Sequence, residues 1–257
     1  MRVQTPLSLA LLCAVLLSLP RIAAADPVAQ LKVSLQKFSG QSPIKARINA
    51  QVWSRNGEGA DANSESGQAS VLAELGAHGL RLTYGADLLA RIAAEEEQRA
   101  RDPKARAATS STLGTVGHDT AQDVLHAAPE LTRLLRRATL KAESTDTLDG
   151  QPARKLSFEL APPPMSDSER KYVKKMEGAL DVWIAADGTP LAHKLRNSLS
   201  GRAFVVVSFD VRNEEDATYT VAGDRLVLAR RETRNSGSGA GERGESRRVV
   251  TTTVLPN

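Results

Sequence analysis

The sequence predicts an α+β fold: one large curved antiparallel sheet with a helical segment inserted into it. Three observations carry that prediction. Roughly ten runs alternate apolar and polar residues and are joined by short turns, which is the signature of antiparallel strands. Between Asp87 and Arg137 the period changes to that of a helix, with apolar stripes at Leu88–Ile92 and Val124–Leu135. A sheet that buries one face needs a covering layer, and the inserted stripes, about 86–137, are the available one.

Taken in order, Asp26–Phe38 reads as a short amphipathic helix through Val28, Leu31, Leu35 and Phe38, stopped by Gly40 and Pro43. Ile44–Arg55 alternates as a strand, with Ile48, Ala50 and Val52 on one side. Asn56–Gly67 is rich in Gly, Asn and Ser and reads as a loop. A hairpin follows, Ala69–Leu75 and Leu80–Tyr84 around Gly76–Gly79. Ala86–Ala93 and the polar run to Arg101 form a helix that Pro103 ends. Ala105–Gly117 is small and polar and reads as a mobile connection. The next helix starts near Asp119, and Pro129 restarts or kinks it.

From Thr139 the chain is nearly all strand. Leu148–Gln151 turns between Thr139–Thr147 and Ala153–Leu160. Ser166 and Glu169 predict a capping box for a short basic helix to Met176. Leu180, Val182 and Ile184 alternate up to the Asp187-Gly188 turn, and Leu191, His193, Leu195, Asn197 and Leu199 share a face of the return strand. Ala203–Val211 reads as one strongly β-branched strand, with two shorter strands around Gly223-Asp224. Asn235–Gly244 reads as a flexible Gly/Ser loop, and Val249–Leu255 closes the sheet.

The first 25 residues have the three-part layout of a secretory signal: Arg2, the apolar run Leu7–Leu19, and small residues at Ala23-Ala24-Ala25. The run is shorter than the roughly 20 residues of a membrane-spanning helix. Cys13, the only cysteine, lies inside it and not at its end, where a lipid-carrying cysteine would stand. The expectation is cleavage after Ala25 and a periplasmic, soluble chain 26–257 forming one domain without disulfides. The formal net charge of +4 includes Arg2 and Arg21 of the signal, and aromatics are 4% of the chain, so a nucleic-acid binder is not expected.

No cluster identifies a reaction. His118 and His126 are eight residues apart with Asp119 and Asp123 between them, which is not the i, i+4 spacing of a helical metal site. No G-x-S-x-G occurs, and Glu95-Glu96-Glu97 reads as a solvated helix face. No catalytic residue, metal or cofactor is therefore expected, although distant carboxylates can converge and keep a hydrolase in view. His193, on an apolar face, fits either the polar wall of a ligand cavity or a hydrogen-bonded core position.

The order of elements resembles the LolA/LolB-like superfamily of exported proteins. The resemblance is carried by Leu31–Arg55 with Phe38-Ser-Gly40, by Leu148–Ala153, and by Asp181–Leu191 with its Asp-Gly turn. Carriers of that superfamily have an aromatic segment with Arg-Pro early in the sheet, whereas here Gly79–Gly85 has one tyrosine and no Arg-Pro. The resemblance implies an unclosed β-barrel covered by inserted helices, and a non-enzymatic protein that carries or senses a hydrophobic ligand, such as a lipid or a lipoprotein acyl chain. The alternative is an interaction or stress-sensor domain with an envelope protein partner. Burying an acyl chain gains roughly 0.8 kcal/mol per CH₂, so such a site needs few polar contacts. The expected lining is Leu88, Leu89, Ile92, Leu131 and Leu135 from the helices and Ile184, Leu195, Val205, Val207 and Phe209 from the sheet, beside Leu180 and Val182.

Overall fold

The computed structural model describes residues 26–59, 62–203 and 207–256. The expected signal, with Cys13, and Val205 lie outside the described residues. The fold is α+β, with a ten-stranded antiparallel sheet that does not close and, among the described residues, six helices.

Helix α1 (Pro27–Lys37) starts where the Asp26 carboxylate accepts the Val28 N–H at 3.0 Å with Pro27 in the first turn. It buries Leu31 and Leu35, one turn apart. It stops at Phe38-Ser-Gly40 because the Gly40 N–H donates to the Asp224 carbonyl at 2.9 Å and the Asp224 side chain fills the space of a Cβ. Strands β1 (Ile44–Asn56), β2 (Asn63–Gly76) and β3 (Gly79–Tyr84) form a meander. Four helices follow: α2 (Ala86–Arg101), α3 (Ala108–Gly114), α4 (His118–Leu125) and α5 (Ala128–Leu135). Strands β4 (Ala138–Leu148) and β5 (Gln151–Leu160) lead to the one-turn helix α6 (Asp167–Arg170). Strands β6 (Val173–Ile184), β7 (Pro190–Ala203), β8 (Val207–Ala222), β9 (Arg225–Gly239) and β10 (Glu242–Leu255) complete the sheet.

The strand order is β3-β2-β1-β10-β9-β8-β7-β6-β5-β4. Every pair but one joins strands consecutive in the chain; the exception, β1 with β10, splices the two meanders, from Lys45 opposite Leu255 to Asn56 opposite Gly244. The edge strands β3 and β4 are consecutive in the chain, and α2–α5 lie between them in sequence. Buried residues of α1, α2, α4 and α5 share one apolar cluster with Ile48, Val71, Leu156, Leu180, Leu228 and Val250 of the strands. That cluster defines the inner face of the sheet. Helix α3 sits against β2 at Gly67, where a Cβ would stand 2.3 Å from the Ala108 carbonyl oxygen and from Thr112 Oγ1. The Ala127 N–H between α4 and α5 donates to the Leu226 carbonyl of β9 at 2.9 Å.

Several sequence expectations are corrected. Asn235–Gly244 is not a loop: β9 and β10 continue through it and turn only at Ala240-Gly241, both left-handed at φ 53° and 82°. Pairing on both sides of β9 outweighs the poor strand propensity of Gly and Ser. For the same reason Asn63–Gly67 is strand, paired with β1. Ala105–Gly117 contains α3, whose orphan N–H groups are capped from α2. The capping box at Ser166 and Glu169 is present, but the helix ends at Arg170 and Val173–Met176 is strand paired with β7. The single strand expected over Ala203–Val211 is the end of β7 and the start of β8, with Ala203 opposite Val207.

The outer face carries an ion-pair ladder. The buried Asp181 accepts from Ser157 Oγ at 2.6 Å and Arg196 at 2.7 Å, Asp216 pairs with Lys194 at 3.3 Å and Arg234 at 3.1 Å, and Glu232 pairs with Arg230, Arg234 and Arg247. Glu232 is 3% exposed under those arginines. The hydrogen bond from Arg247, at 2.7 Å, with those of its neighbours, holds its pKa down to about 2. A folded-state pKa below the unfolded value of about 4.5 means stability that is full above that pH and lost as pH falls towards 2. The arginines are half exposed, so solvent screening reduces the contribution to about 1–2 kcal/mol. Glu232→Gln is expected to lose that amount at neutral pH and to converge with wild type in acid, read from urea midpoints at a series of pH values.

Candidate functional site

The residues expected to line an acyl cavity separate into groups. Leu131 and Ile184 are fully buried, Leu88 and Leu135 nearly so, and Ile92 and Leu195 pack against the same cluster. These six are core. Leu89 is 51% exposed and belongs to no part of it. Helix α2 turns Leu88, Ile92 and Glu95 inward, and Leu89 stands about 100° round from Leu88. Val207 and Phe209, half-buried, lie at the other end of β8 and outside the cluster.

Glu95 corrects the reading of the Glu95–Glu97 run as a solvated face. Its carboxylate accepts the N–H groups of Thr109 at 2.7 Å and Ser110 at 3.0 Å, capping α3 from the neighbouring helix. Burial alone would raise this carboxyl, but those donors outweigh it and hold it below the usual carboxylate range.

His193 resolves to the hydrogen-bonded core position. It is 2% exposed, with Nδ1 2.6 Å from the Tyr219 hydroxyl and Nε2 2.9 Å from Glu215 Oε1. A neutral ring satisfies both if Nε2–H donates to Glu215 and Nδ1 accepts from Tyr219. Arg231 Nε stands 3.5 Å from Glu215, and its Nη2 donates to Glu130 on α5. Burial would raise the Glu215 carboxyl, yet the His193 hydrogen bond and the Arg231 charge hold it low. Burial also pushes the Tyr219 phenol far up. His193, Glu215, Tyr219 and Arg231 thus fasten α5 to β7, β8 and β9 through Glu130. Among the described residues no group of three His, Cys, Asp or Glu side chains could hold a metal, and no helix is long and apolar enough to cross a membrane.

Beyond the core, the inner face changes chemistry. Side chains alternate regularly along β10, β1 and the first half of β8, so those two, four and six residues from Val250, Ala50 and Ala217 share their face. One row across the strands is Gly178, Asn197, Asn213, Asn235, Ser246 and Ser54. Asn213 Nδ2 donates to Asn235, whose own Nδ2 donates to Ser246 Oγ at 3.3 Å. The next row is Met176, Leu199, Val211, Gly237, Gly244 and Asn56. Its apolar end passes into a glycine floor with no side chain at all.

Over that floor lies a trough of about 690 Å³, within the range of small-molecule sites. Its inner-face lining includes Ser54, Asn56, Asn63, Val211, Asn235 and Gly237, and among the described residues no helix residue lines it. Val211 is 41% exposed there. The trough offers side-chain amides and hydroxyls, which donate and accept, beside an apolar wall. The sequence signal for it was the recurrence of Asn, Ser and Gly at alternate positions of successive strands. It was missed because Asn235–Gly244 read as a loop.

No family model, curated protein or solved structure matches the chain.

Proposed function

We propose that the chain is an exported, non-catalytic binding protein of the LolA/LolB-like kind, which holds an amphiphile across the inner face of its sheet. The helices cover one half of that face and leave the other to the ligand. The observation that supports this reading is the trough itself, with Val211 as its apolar wall and a floor of Gly237, Gly244, Asn235 and Ser246, and with Leu199 and Met176 continuing the Val211 row beyond it. Six strands at about 4.8 Å spacing give the row a span of roughly 24 Å. An extended chain can lie along it with its polar end on the amide row. The ligand therefore sits beyond the helices and not beneath them, where Leu131 and Ile184 are close-packed.

The floor provides a clean test. A Cβ at Gly237 would stand 3.8 Å from the Asp210 carbonyl and 3.9 Å from Val211 Cγ2, which is ordinary contact. Gly237→Val therefore fills the trough without straining the strand, and a β-branched residue suits it. The variant should keep the wild-type melting temperature and bind a fluorescent acyl probe at least about tenfold more weakly, a difference of ~1.4 kcal/mol. Native mass spectrometry of gently purified wild type should show a bound amphiphile. A clean apo mass together with unaltered probe binding by Gly237→Val would sink the reading.

A further inference from the structure

Beyond the Gly239 end of the trough, across Phe209, lies a basic patch. Helix α6, the segment leading into β6 and the start of that strand carry Arg170, Lys171 and Lys174, all exposed, while the exposed Lys175 and Arg202 next to them turn to the outer face of the sheet. Lys175 pairs with Glu177 at 2.9 Å, and Arg170 reaches Asp167 only at 3.9 Å. Among the described residues Lys171, Lys174 and Arg202 have no carboxylate within ion-pair distance. Glu169 is turned inward on the capping box, accepting from the Ser166 N–H at 2.7 Å. Between the cations stands Tyr172, 43% exposed.

The patch is fixed to the trough. The Arg202 N–H donates to the Tyr172 carbonyl at 2.8 Å. At Gly201 a Cβ would lie 2.1 Å from that carbonyl oxygen and 2.4 Å from Phe209 Cζ, so only glycine lets the patch and the Phe209 ring meet. Phe209 faces Gly201 and Gly239 in the row next to Val211. A β-bulge at Lys174, between the pairs Val173–Gly201 and Lys175–Ser200, bends the strand at this point.

We propose that the protein exchanges its ligand at an anionic lipid surface, docked through Arg170, Lys171, Tyr172 and Lys174 with the trough opening beside the contact. This rests on the trough being the ligand site. The charge complementarity is that of a lipid interface: Lys171 and Lys174, without carboxylate partners, flank in sequence an exposed tyrosine whose kind of side chain suits the headgroup level. An acidic protein partner would call for the cations alone.

The test is co-sedimentation of the full chain with phosphatidylcholine vesicles with and without phosphatidylglycerol. Wild type should pellet with the anionic vesicles and not the neutral ones, and should be released in 1 M salt, where the Debye length is about 3 Å. The exposed pair K171E/K174E should keep its melting temperature and its acyl-probe affinity yet bind anionic vesicles at least about tenfold more weakly. Gly237→Val should do the reverse, losing the probe and keeping the vesicles. Equal binding to neutral vesicles, no binding to either, or wild-type vesicle binding by K171E/K174E overturns the docking surface. Wild-type probe binding by Gly237→Val overturns the trough as ligand site and leaves the docking surface standing.

Discussion

Leu131→Glu should unfold the protein at neutral pH, and Leu89→Glu should leave it unchanged. Both leucines stand on amphipathic stripes of the inserted helices, but Leu131 is fully buried where α5 meets the core and Leu89 faces solvent. Truncation of such a core leucine to alanine costs about 2–5 kcal/mol, and an unpaired carboxylate there adds a desolvation penalty of several more. That is on the order of the whole stability of an ordinary domain, ~5–15 kcal/mol. The exposed site should respond within about 0.5 kcal/mol. Urea denaturation followed by circular dichroism measures both. A folded Leu131→Glu with a near-native midpoint would mean solvent-accessible space beneath the helices and would revive the acyl cavity there.

What the sequence made legible follows the strength of local chemistry. Asp149-Gly150, with φ 50° and 78°, and Gly188, with φ 84°, fall where their dipeptides predict hairpin turns. The Ser166–Glu169 capping box and the restart at Pro129 are local signals as well. Elements that depend on distant partners were hidden. Helix α3 is short, with small polar residues, and forms because Glu95 caps it and Gly67 makes room for it. Glycine and serine in β9 and β10 read as loop until strands on either side are known to pair with them. The trough is built from that segment, so misreading it as a loop concealed the site as well. Periodicity identified the stripe on α2 but not its rotation, which decides between Leu88 and Leu89.

Arg231→Leu is expected to cost about 3–5 kcal/mol at neutral pH, because it leaves carboxylates buried without their cation. In the native protein Arg231 lies between Glu215 on β8 and Glu130 on α5, and both hold its guanidinium charged against the opposing effect of burial. Its Nε makes an ion pair and no hydrogen bond, so the contribution of that atom is mostly Coulombic. Without Arg231, burial acts on Glu215 against only the His193 and Thr233 hydrogen bonds. A carboxyl whose folded pKa rises above the unfolded 4.5 contributes stability below that pH and loses it as pH rises through the folded value. The variant should therefore be closest to wild type in mild acid and fall behind towards pH 7; its gap opens above pH 4.5, where that of Glu232→Gln has already opened below it. Adding Glu215→Gln and Glu130→Gln removes the stranded charges and should restore most of the midpoint. If the triple variant is no more stable than Arg231→Leu alone, the loss lies in the packing of the arginine stem between α5 and β9 and not in its charge.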